Sequence, residues 1–296
     1  EQPNFTEVTL RRKSRIDHKI LDGYLTRETD HLIAEEVKAL SGTMRITVED
    51  LVNHLLPWAA NKAVVPISKF KVGAICRGNS GNLYFGANIE FANQPLHFTI
   101  HAEQSAVANA MFHGETGVKA LSVTAAPCGH CRQFLNELNS ASELKIYLPG
   151  DVSFRLPDLL PESFGPKELE IPYRLFDPQA HQLILEKETE DPIVQKALGA
   201  ANISYAPYSS SYAAVAIQTR NGQEFSGVYM ENAAYNPSLL PLQACLSNML
   251  MAGRSYGDIA RVVLVVKKGS PVNHARVAKE LLQTILSVEL QVFEAG

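Results

Sequence analysis

The chain repeats part of its own sequence, and this repeat limits its fold more than any other feature does. Ala-Ala-Asn occurs at residues 59–61 and again at residues 200–202, an offset of 200 − 59 = 141. The same offset pairs Pro66 with Pro207, Ser68 with Ser209, Gly81 with Gly222, Gly86 with Gly227 and Glu90 with Glu231. A register held without a gap over roughly thirty residues predicts a duplicated domain, and the period is far too long for a solenoid.

Each copy shows the same order of structural signals. A helix carrying Ala-Ala-Asn is followed by a Pro-containing loop, an apolar strand (72–76 or 213–217), a Gly turn and a second strand (83–89 or 224–230). A helix from near residue 100 or 241 then precedes a third strand, at 121–125 or 262–266, and a final helix. This order predicts an α/β fold with a mixed sheet in a three-layer α/β/α arrangement.

The chain of 296 residues is long enough for about two such domains. We expect a small helical segment over residues 1–46, in which Leu32, Val37 and Leu40 recur at helical spacing before a stop at Ser41-Gly42. The first domain is predicted at 47–150 and the second at 191–296. Between them, residues 151–190 are rich in Pro and acidic residues, which favours a linker lying over the surface.

Composition excludes several classes of partner. The net charge of −4 and pI near 6.2 argue against nucleic acid, and the basic cluster at residues 11–15 is short enough to be solvated surface. No apolar run approaches the ~20 residues of a membrane span. Four cysteines are too few for a disulfide framework, so we expect a reducing, cytoplasmic environment.

Two short motifs carry candidate chemistry. His101-Ala102-Glu103 opens an apolar run, and alone it is either a catalytic pair or the polar beginning of a helix. Cys128 and Cys131 follow as C-x-x-C, which alone fits a redox pair or half of a structural zinc site. No second C-x-x-C exists, and the remaining two cysteines stand singly in apolar surroundings typical of a core.

The two motifs together predict a catalytic metal centre. If His101 and Cys128 both begin helices, two helix N-termini converge on one ion and favour thiolates. One His and two Cys leave the fourth tetrahedral position open, as in catalytic zinc sites. Glu103 would face that position as a proton acceptor, and H-x-E…P-C-x-x-C is the signature of zinc deaminases.

Segments along nearly the whole chain resemble the long, two-domain cytidine deaminases of enteric bacteria. These segments are "HAEQSA", "PCGHCRQF", "FGANIEF", "FGPKELE" and "ENAAYNP". The resemblance implies zinc-dependent hydrolytic deamination of cytidine and 2′-deoxycytidine to uridine and 2′-deoxyuridine, with release of ammonia, in pyrimidine salvage. It also implies a homodimer whose second domains help to line the neighbouring active site.

The resemblance further implies roles for particular residues. His101, Cys128 and Cys131 would hold the zinc, and Glu103 would shuttle protons. The other implied contacts all touch substrate: Asn88 and Glu90 at the ribose 3′-hydroxyl, Phe70 against the pyrimidine, Phe164 closing the pocket, and the backbone N–H of Ala102 and carbonyl of Ala126 at the base.

The second copy lacks this chemistry. Carried forward, the offset of 141 places Leu242 and Ala244 at the positions of His101 and Glu103. The other positions are likewise changed: Phe70 becomes Ser211, Asn88 becomes Tyr229, and the two cysteines become Gly269 and Val272. We therefore predict one zinc ion per chain and a second domain that is kept for packing.

Three other functions remain to be weighed against this one. Deamination of cytosine in a polynucleotide would require a basic stripe with interleaved aromatic residues, which this acidic chain lacks. A nucleotide substrate would want a cationic phosphate pocket, and Glu90 beside the sugar is unfavourable there. A non-catalytic, zinc-stabilised binding protein would have no need of Glu103.

Overall fold

The computed structural model describes residues 18–150 and 152–296. The basic cluster at 11–15 and the first 17 residues of the helical segment predicted at 1–46 lie outside this part of the chain. The described N-terminal elements are α1 (His18–Asp22), β1 (His31–Leu32) and α2 (Ala34–Met44). The predicted stop at Ser41-Gly42 is wrong, because α2 runs to Met44 and ends where Arg45 turns left-handed at φ 54°. A glycine inside a helix costs only about 1 kcal/mol, so it did not end this one.

The first half forms a six-stranded mixed sheet. Its elements are α3 (Val48–Asn61), β2 (Gly73–Gly78), β3 (Leu83–Ala87), α4 (Ala102–Phe112), β4 (Val118–Val123), α5 (Gly129–Leu135), β5 (Lys145–Leu148) and β6 (Val152–Arg155). The strand order is β1-β3-β2-β4-β5-β6, with β4 and β5 parallel and the other neighbours antiparallel.

The second half repeats this topology. After α6 (Leu156–Leu159) come α7 (Pro192–Ala201), β7 (Ala213–Thr219), β8 (Glu224–Val228), α8 (Pro241–Met251), β9 (Ile259–Lys267), α9 (His274–Ile285) and β10 (Leu290–Ala295). The order β10-β9-β7-β8 matches β5-β4-β2-β3, with the same parallel pair. Within the described chain, no helix has the length and apolar content needed to cross a membrane.

Alternating side chains of β2 and β3 bury two different faces. Ile75 and Phe85 join a core formed with α2 and α3, whereas Cys76 and Tyr84 belong to the core beneath α4. Helices therefore cover both faces of the sheet, and the predicted three-layer α/β/α arrangement is confirmed. The core beneath α4 continues into the second half, so the two halves share one hydrophobic interior.

Repeated glycines explain part of the sequence repeat. A Cβ on Gly86 would lie 2.2 Å from the backbone nitrogen of Ala106 in α4, and one on Gly227 would lie 2.1 Å from that of Cys245 in α8. Only glycine lets each helix pack this closely on its strand. Gly81 and Gly222 serve a different purpose, because their hairpin turns require φ of +93° and +86°.

The register of the repeat changes before the central helix. Ala106 and Cys245 occupy equivalent places, as do the residues that precede the two helices, His101 and Leu240, so the helical offset is 240 − 101 = 139. The loop before α8 is thus two residues shorter, and the offset of 141 returns in β9. The assignment of Leu242 and Ala244 to the positions of His101 and Glu103 is therefore wrong; Leu240 and Leu242 lie there.

Helices α4 and α8 join the halves through a pseudo-twofold contact. Gln104 in α4 donates to the carbonyl of Pro237 at 3.1 Å, and the equivalent Gln243 in α8 donates to the carbonyl of Phe98 at 2.5 Å. Phe98 and Pro237 are themselves related by 139 residues, so the same contact is made in both directions, as in a two-fold symmetric dimer interface.

Residues 151–190 do more than lie over the surface. The strand β6 pairs with β5 at the edge of the first sheet. Several apolar side chains of this stretch are buried in the shared core: Leu156, Leu175, Phe176, Leu183 and Leu185. These apolar residues are widely spaced within a Pro-rich stretch, so the composition of the stretch did not predict their burial.

Candidate metal centre

The centre is built at two helix N-termini. His101 precedes α4 as its N-cap residue, in extended conformation at φ −81° and ψ 155°. Cys128 precedes α5 in the same way, and Cys131 follows one turn later. Both helices begin where the motifs predicted. The unpaired backbone N–H groups at the N-terminus of each helix favour negative charge at this point.

The three ligand atoms form a small triangle. Cys128 Sγ lies 3.7 Å from Cys131 Sγ and 3.5 Å from His101 Nδ1, and Cys131 Sγ lies 3.3 Å from the same nitrogen. Tetrahedral zinc, with bonds of about 2.3 Å to sulfur and about 2.0 Å to nitrogen, separates two sulfurs by about 3.8 Å and a sulfur from a nitrogen by about 3.6 Å. The donor set and its spacing therefore fit a zinc ion with one position left open.

The surroundings of the two cysteines shift the pKa values of their thiols in opposite directions. Hydrogen bonds from Cys131 and then His101 lower the pKa of the exposed Cys128 thiol to about 3. The neighbouring Cys128 sulfur, and then burial, raise the pKa of Cys131. The arrangement therefore favours loss of the Cys128 proton over that of Cys131, and both cysteines bind a cation as thiolates.

Glu103 lies beside the ligands on the first turn of α4. Its side chain is 4% exposed, and its carboxylate is within hydrogen-bonding reach of the Cys131 thiol. Burial raises the pKa of this carboxyl above its ordinary value. A buried carboxyl with a raised pKa, next to an open metal position, is suited to accept and return protons near neutral pH.

Asn88 and Glu90 both hold the loop that carries Phe70. The Asn88 side chain accepts from Val72 N at 2.9 Å and donates to the Phe70 carbonyl at 2.9 Å. Glu90 Oε2 accepts from the backbone nitrogens of residues 67 and 68 at 2.8 and 3.0 Å.

The second half keeps only one of these two contacts. Glu231, the partner of Glu90 in the repeat, accepts from the nitrogens of Tyr208 and Ser209 at 2.7 and 3.1 Å. Glu90 therefore has a scaffold role that does not depend on any substrate. Asn88 has no such counterpart, since Tyr229 stands in its place.

The remaining sequence-predicted residues differ in their exposure to solvent. Phe70 and Phe164 are large apolar side chains that are 63% and 47% exposed. The Phe164 carbonyl accepts from Gln133 at 2.8 Å, which ties it to α5. Ala102 is buried at the first position of α4, and Ala126 is exposed between β4 and α5.

Two residues near the ligands were not predicted from the sequence. Gln104 accepts from the backbone nitrogen of His101 at 3.2 Å, so it fixes the ligand's backbone as well as the contact between halves. The ring of His130 stacks on that of His101 with centroids 5.0 Å apart. The only sequence signal for them was their place within the two motifs, at the third helical position and inside "CGHC".

Residues of the second half form hydrogen bonds with α5 and with Glu137 just after it. The side chain of Asn232 donates to the carbonyl of Gln133 at 2.9 Å. The fully buried carboxylate of Glu137, just past α5, accepts from Ala233 N at 2.7 Å and from the hydroxyls of Tyr205 and Tyr208 at 2.8 and 2.9 Å. The segment "ENAAYNP" thus contacts the zinc-binding helix within the same chain.

The corresponding place in the second half is filled by its own side chains. Leu240 and Leu242 stand where His101 and Glu103 stand in the first half, and His274 begins α9 as Gly129 begins α5. The His274 ring packs against Tyr229 with centroids 4.4 Å apart and bonds to the Ser211 carbonyl at 3.2 Å. The assignment of the cysteine positions to Gly269 and Val272 is also wrong, because the offset grows from 141 in β9 to 273 − 128 = 145 at the start of α9. Asn273 and Arg276 lie there, and neither is a thiolate.

A mixed-sheet α/β fold with a His-Cys-Cys centre, an open fourth position and an adjacent buried glutamate defines a zinc enzyme that activates water. Two family models described as "Cytidine and deoxycytidylate deaminase zinc-binding region" match residues 48–147 and 156–279. The chain belongs to this family of zinc-binding deaminases.

Two known proteins of similar sequence are both named cytidine deaminase. A "Cytidine deaminase" from Aeromonas hydrophila is 51% identical over 237 residues, which is 80% of each chain. A "Cytidine deaminase" from Yersinia pestis is 52% identical over 234 residues, or 79% of each chain. The crystal structure of cytidine deaminase from Mycobacterium tuberculosis covers 40% of this chain and 97% of its own, with 34% identity and a TM-score of 0.37.

Proposed function

We propose that this protein is a zinc-dependent cytidine deaminase that hydrolyses cytidine and 2′-deoxycytidine to uridine and 2′-deoxyuridine and releases ammonia. The observation that carries the proposal is the triangle of His101, Cys128 and Cys131 with the buried Glu103 carboxylate beside it. Family membership and the two relatives named cytidine deaminase support the nucleoside as substrate.

His101, Cys128 and Cys131 hold the zinc. When bound, zinc lowers the pKa of a coordinated water toward about 7 and so supplies a hydroxide-like nucleophile at neutral pH. Glu103 takes the proton that this activation releases and delivers it to N3 of the cytosine ring. As the water oxygen bonds to C4, the Glu103 carboxylate is free to take the remaining proton of that new hydroxyl group. It passes this proton to the amine, so that ammonia departs as the C4–N bond breaks and the C4 carbonyl of uridine forms.

The other sequence-predicted residues bind the nucleoside and orient it toward the zinc. Asn88 and Glu90 bind the ribose 3′-hydroxyl while holding the 66–72 loop. Phe70 packs on the pyrimidine, and Phe164 closes over it, which gives their exposed rings a purpose. The N–H of Ala102 and the carbonyl of Ala126 read the base.

The two halves divide the work. We propose a catalytic domain at 47–150, a linker at 151–190 and a non-catalytic domain at 191–296, behind the N-terminal segment of residues 1–46. One zinc is held per chain, because Leu240, Asn273 and Arg276 stand where the first half has His101, Cys128 and Cys131. The protein acts in the cytoplasm, in pyrimidine salvage, as a homodimer that needs neither nucleic acid nor membrane.

Substitution of Glu103 and Cys128 tests this function. Cytidine absorbance is followed with purified protein while tightly held zinc is assayed on the same sample. Glu103→Gln should keep zinc and lose more than about 100-fold in turnover, since it removes the acid–base group alone. Cys128→Ala should lose both. Near-normal turnover by Glu103→Gln would refute the assignment.

The same preparation separates the competing functions. Deoxycytidylate and a cytosine-containing oligonucleotide serve as alternative substrates, and a preference for either one contradicts a nucleoside deaminase. Chelation should abolish turnover while the far-ultraviolet circular dichroism persists. Loss of the fold together with the metal would instead indicate structural zinc.

A further inference from the structure

A second cluster of metal-binding side chains lies at the opposite end of α4. Asp30, His31 and His113 place one donor atom each within 4.8 Å of one another. His31 Nδ1 lies 2.7 Å from Asp30 Oδ1, and His113 Nε2 lies 3.1 Å from Asp30 Oδ2. His113 ends the helix that His101 begins, so twelve residues, or about 18 Å, separate the two clusters along α4.

We propose that Asp30, His31 and His113 bind a second divalent transition-metal ion, separate from the zinc of the cysteine centre. Imidazole nitrogens with one carboxylate are the donors that suit zinc, nickel and cobalt, with water in the remaining positions. Bonds of about 2.1 Å separate neighbouring donors by about 3.0 Å in an octahedral site and about 3.4 Å in a tetrahedral one. The two nitrogen–oxygen distances, one to each carboxylate oxygen, lie near these values, and one donor atom from each residue lies within 4.8 Å of the others. An ion would take the place of the hydrogen-bonded protons between these atoms, after the side chains shift toward it.

The backbone holds these donors in place. The carbonyl of Asp30 accepts from Asn109 Nδ2 at 2.7 Å and from Phe85 N at 2.9 Å, and His31 pairs with Tyr84 across β1 and β3. The His31 and His113 rings lie 4.0 Å apart. Because the cluster joins β1, β3 and the end of α4, an ion here ties the N-terminal segment to the catalytic half.

The cluster is also open to solvent. The side chains of His31 and His113 are 28% and 24% exposed, whereas Asp30 is 12% exposed. The Asp30 carboxylate is the common partner of both imidazoles, with one oxygen facing each ring.

This ion is held less tightly than the zinc of the cysteine centre. No thiolate contributes to the cluster, and the ammonium of Lys62 interacts with Asp30 at the same time. The two ions are thus distinguishable, because one survives removal of free metal and the other exchanges. The tightly held count of one zinc per chain is unaffected.

Metal titration of the zinc-loaded protein tests the site. After free metal is removed, Ni²⁺ is added while calorimetry counts sites and a thermal melt reports stability. We expect one further equivalent to bind and to raise Tm by about 3 °C or more at saturation, whereas Mg²⁺ has no effect. X-ray absorption at the nickel edge should show imidazole and oxygen ligands without sulfur.

Three variants decide between a metal site and a simple hydrogen-bonded triad. Glutamine at position 113 or 31 can still donate to Asp30, so His113→Gln and His31→Gln keep that bond but lose a ligand. Both should lose the second equivalent and the Tm rise while retaining the tightly held zinc. The matched control is His97→Gln, an exposed histidine outside the cluster, which should titrate like the wild type.

Two results would overturn the proposal. One is the absence of a second equivalent in the wild type. The other is binding that His113→Gln and His31→Gln leave unchanged. Should both variants fail to fold, sulfur ligands or an absence of imidazole at the nickel edge of the wild-type protein would overturn it equally.

Discussion

The buried His274 makes the stability of the protein depend on pH in a direction that can be calculated. This side chain is 4% exposed, its Nε2 bonds to the Ser211 carbonyl, and its Nδ1 has no hydrogen-bond partner among the described residues. Burial lowers its pKa from 6.5 to about 4, although the bond to Ser211 acts the other way. The unfolded chain therefore binds a proton here more readily than the folded chain.

The sign and size of the effect follow from linkage. The stabilisation is fully present above the unfolded pKa of 6.5 and is lost as pH falls toward about 4. A difference of about 2.5 pKa units corresponds to roughly 3 kcal/mol in total, and about 2 kcal/mol of it is lost between about pH 7.5 and about pH 5. His274→Gln keeps a donor for the Ser211 carbonyl but has no proton to gain, so this part of the pH dependence should vanish.

Urea unfolding at a series of pH values measures this difference directly. The wild type should lose about 2 kcal/mol more of its unfolding free energy than His274→Gln over that range. Tyr229→Phe is the matched control, because it keeps the ring against His274 and should follow the wild-type slope. If the wild type and His274→Gln lose the same unfolding free energy over this pH range, the fold does not hold His274 in its neutral form.

Three further pairs of substitutions test the packing between the halves and within each half. Glu137→Ala orphans three buried donors and should lower the unfolding free energy by about 3 kcal/mol or more, while Glu137→Gln, which keeps one acceptor, should lose about 1 kcal/mol in urea titrations. Gly86→Ala and Gly227→Ala should each cost about 3 kcal/mol or more, since the new Cβ meets helix backbone, but zinc assays should show a loss only for Gly86→Ala, which displaces α4. Gln104→Ala and Gln243→Ala should destabilise by similar amounts of about 1 kcal/mol, yet only Gln104→Ala should weaken zinc retention, because it also frees the backbone of a ligand. Equal zinc losses for Gly86→Ala and Gly227→Ala, or for Gln104→Ala and Gln243→Ala, would contradict the proposal that only the first half holds zinc.

The sequence predicted those features that depend on local pattern. The duplication, the three layers and the helix starts at His101 and Cys128 all follow from matched residues and spacing, and the structure confirms them. The register of the second half could not be predicted, because the two-residue deletion lies in a loop beyond the last matched residue, Glu90. An offset measured on strands and turns does not carry across a loop of different length.

Long-range pairing was equally hidden. The contacts of Glu137 with the second half join residues 68 to 96 positions apart, and the cluster at His113 reaches back 83 positions to Asp30. Such pairs have no period in the sequence, so no window of residues reports them. The scaffold role of Glu90 was hidden for a different reason, since only the equal contact made by Glu231 reveals it.

The burial of α4 explains why a half without zinc ligands is retained. Every residue from Ala102 to Ala110 is buried, although this stretch includes Glu103, Gln104 and Asn109. A helix buried on all sides needs cover on the side that faces away from its own sheet. In the described chain that cover comes from α8 of the second half, through the Gln104 contact and a bond of 2.7 Å between Ser105 and Ser247. We therefore expect the second half to support catalysis by covering the helix that carries His101 and Glu103, and this packing role is consistent with the leucines at its own corresponding positions.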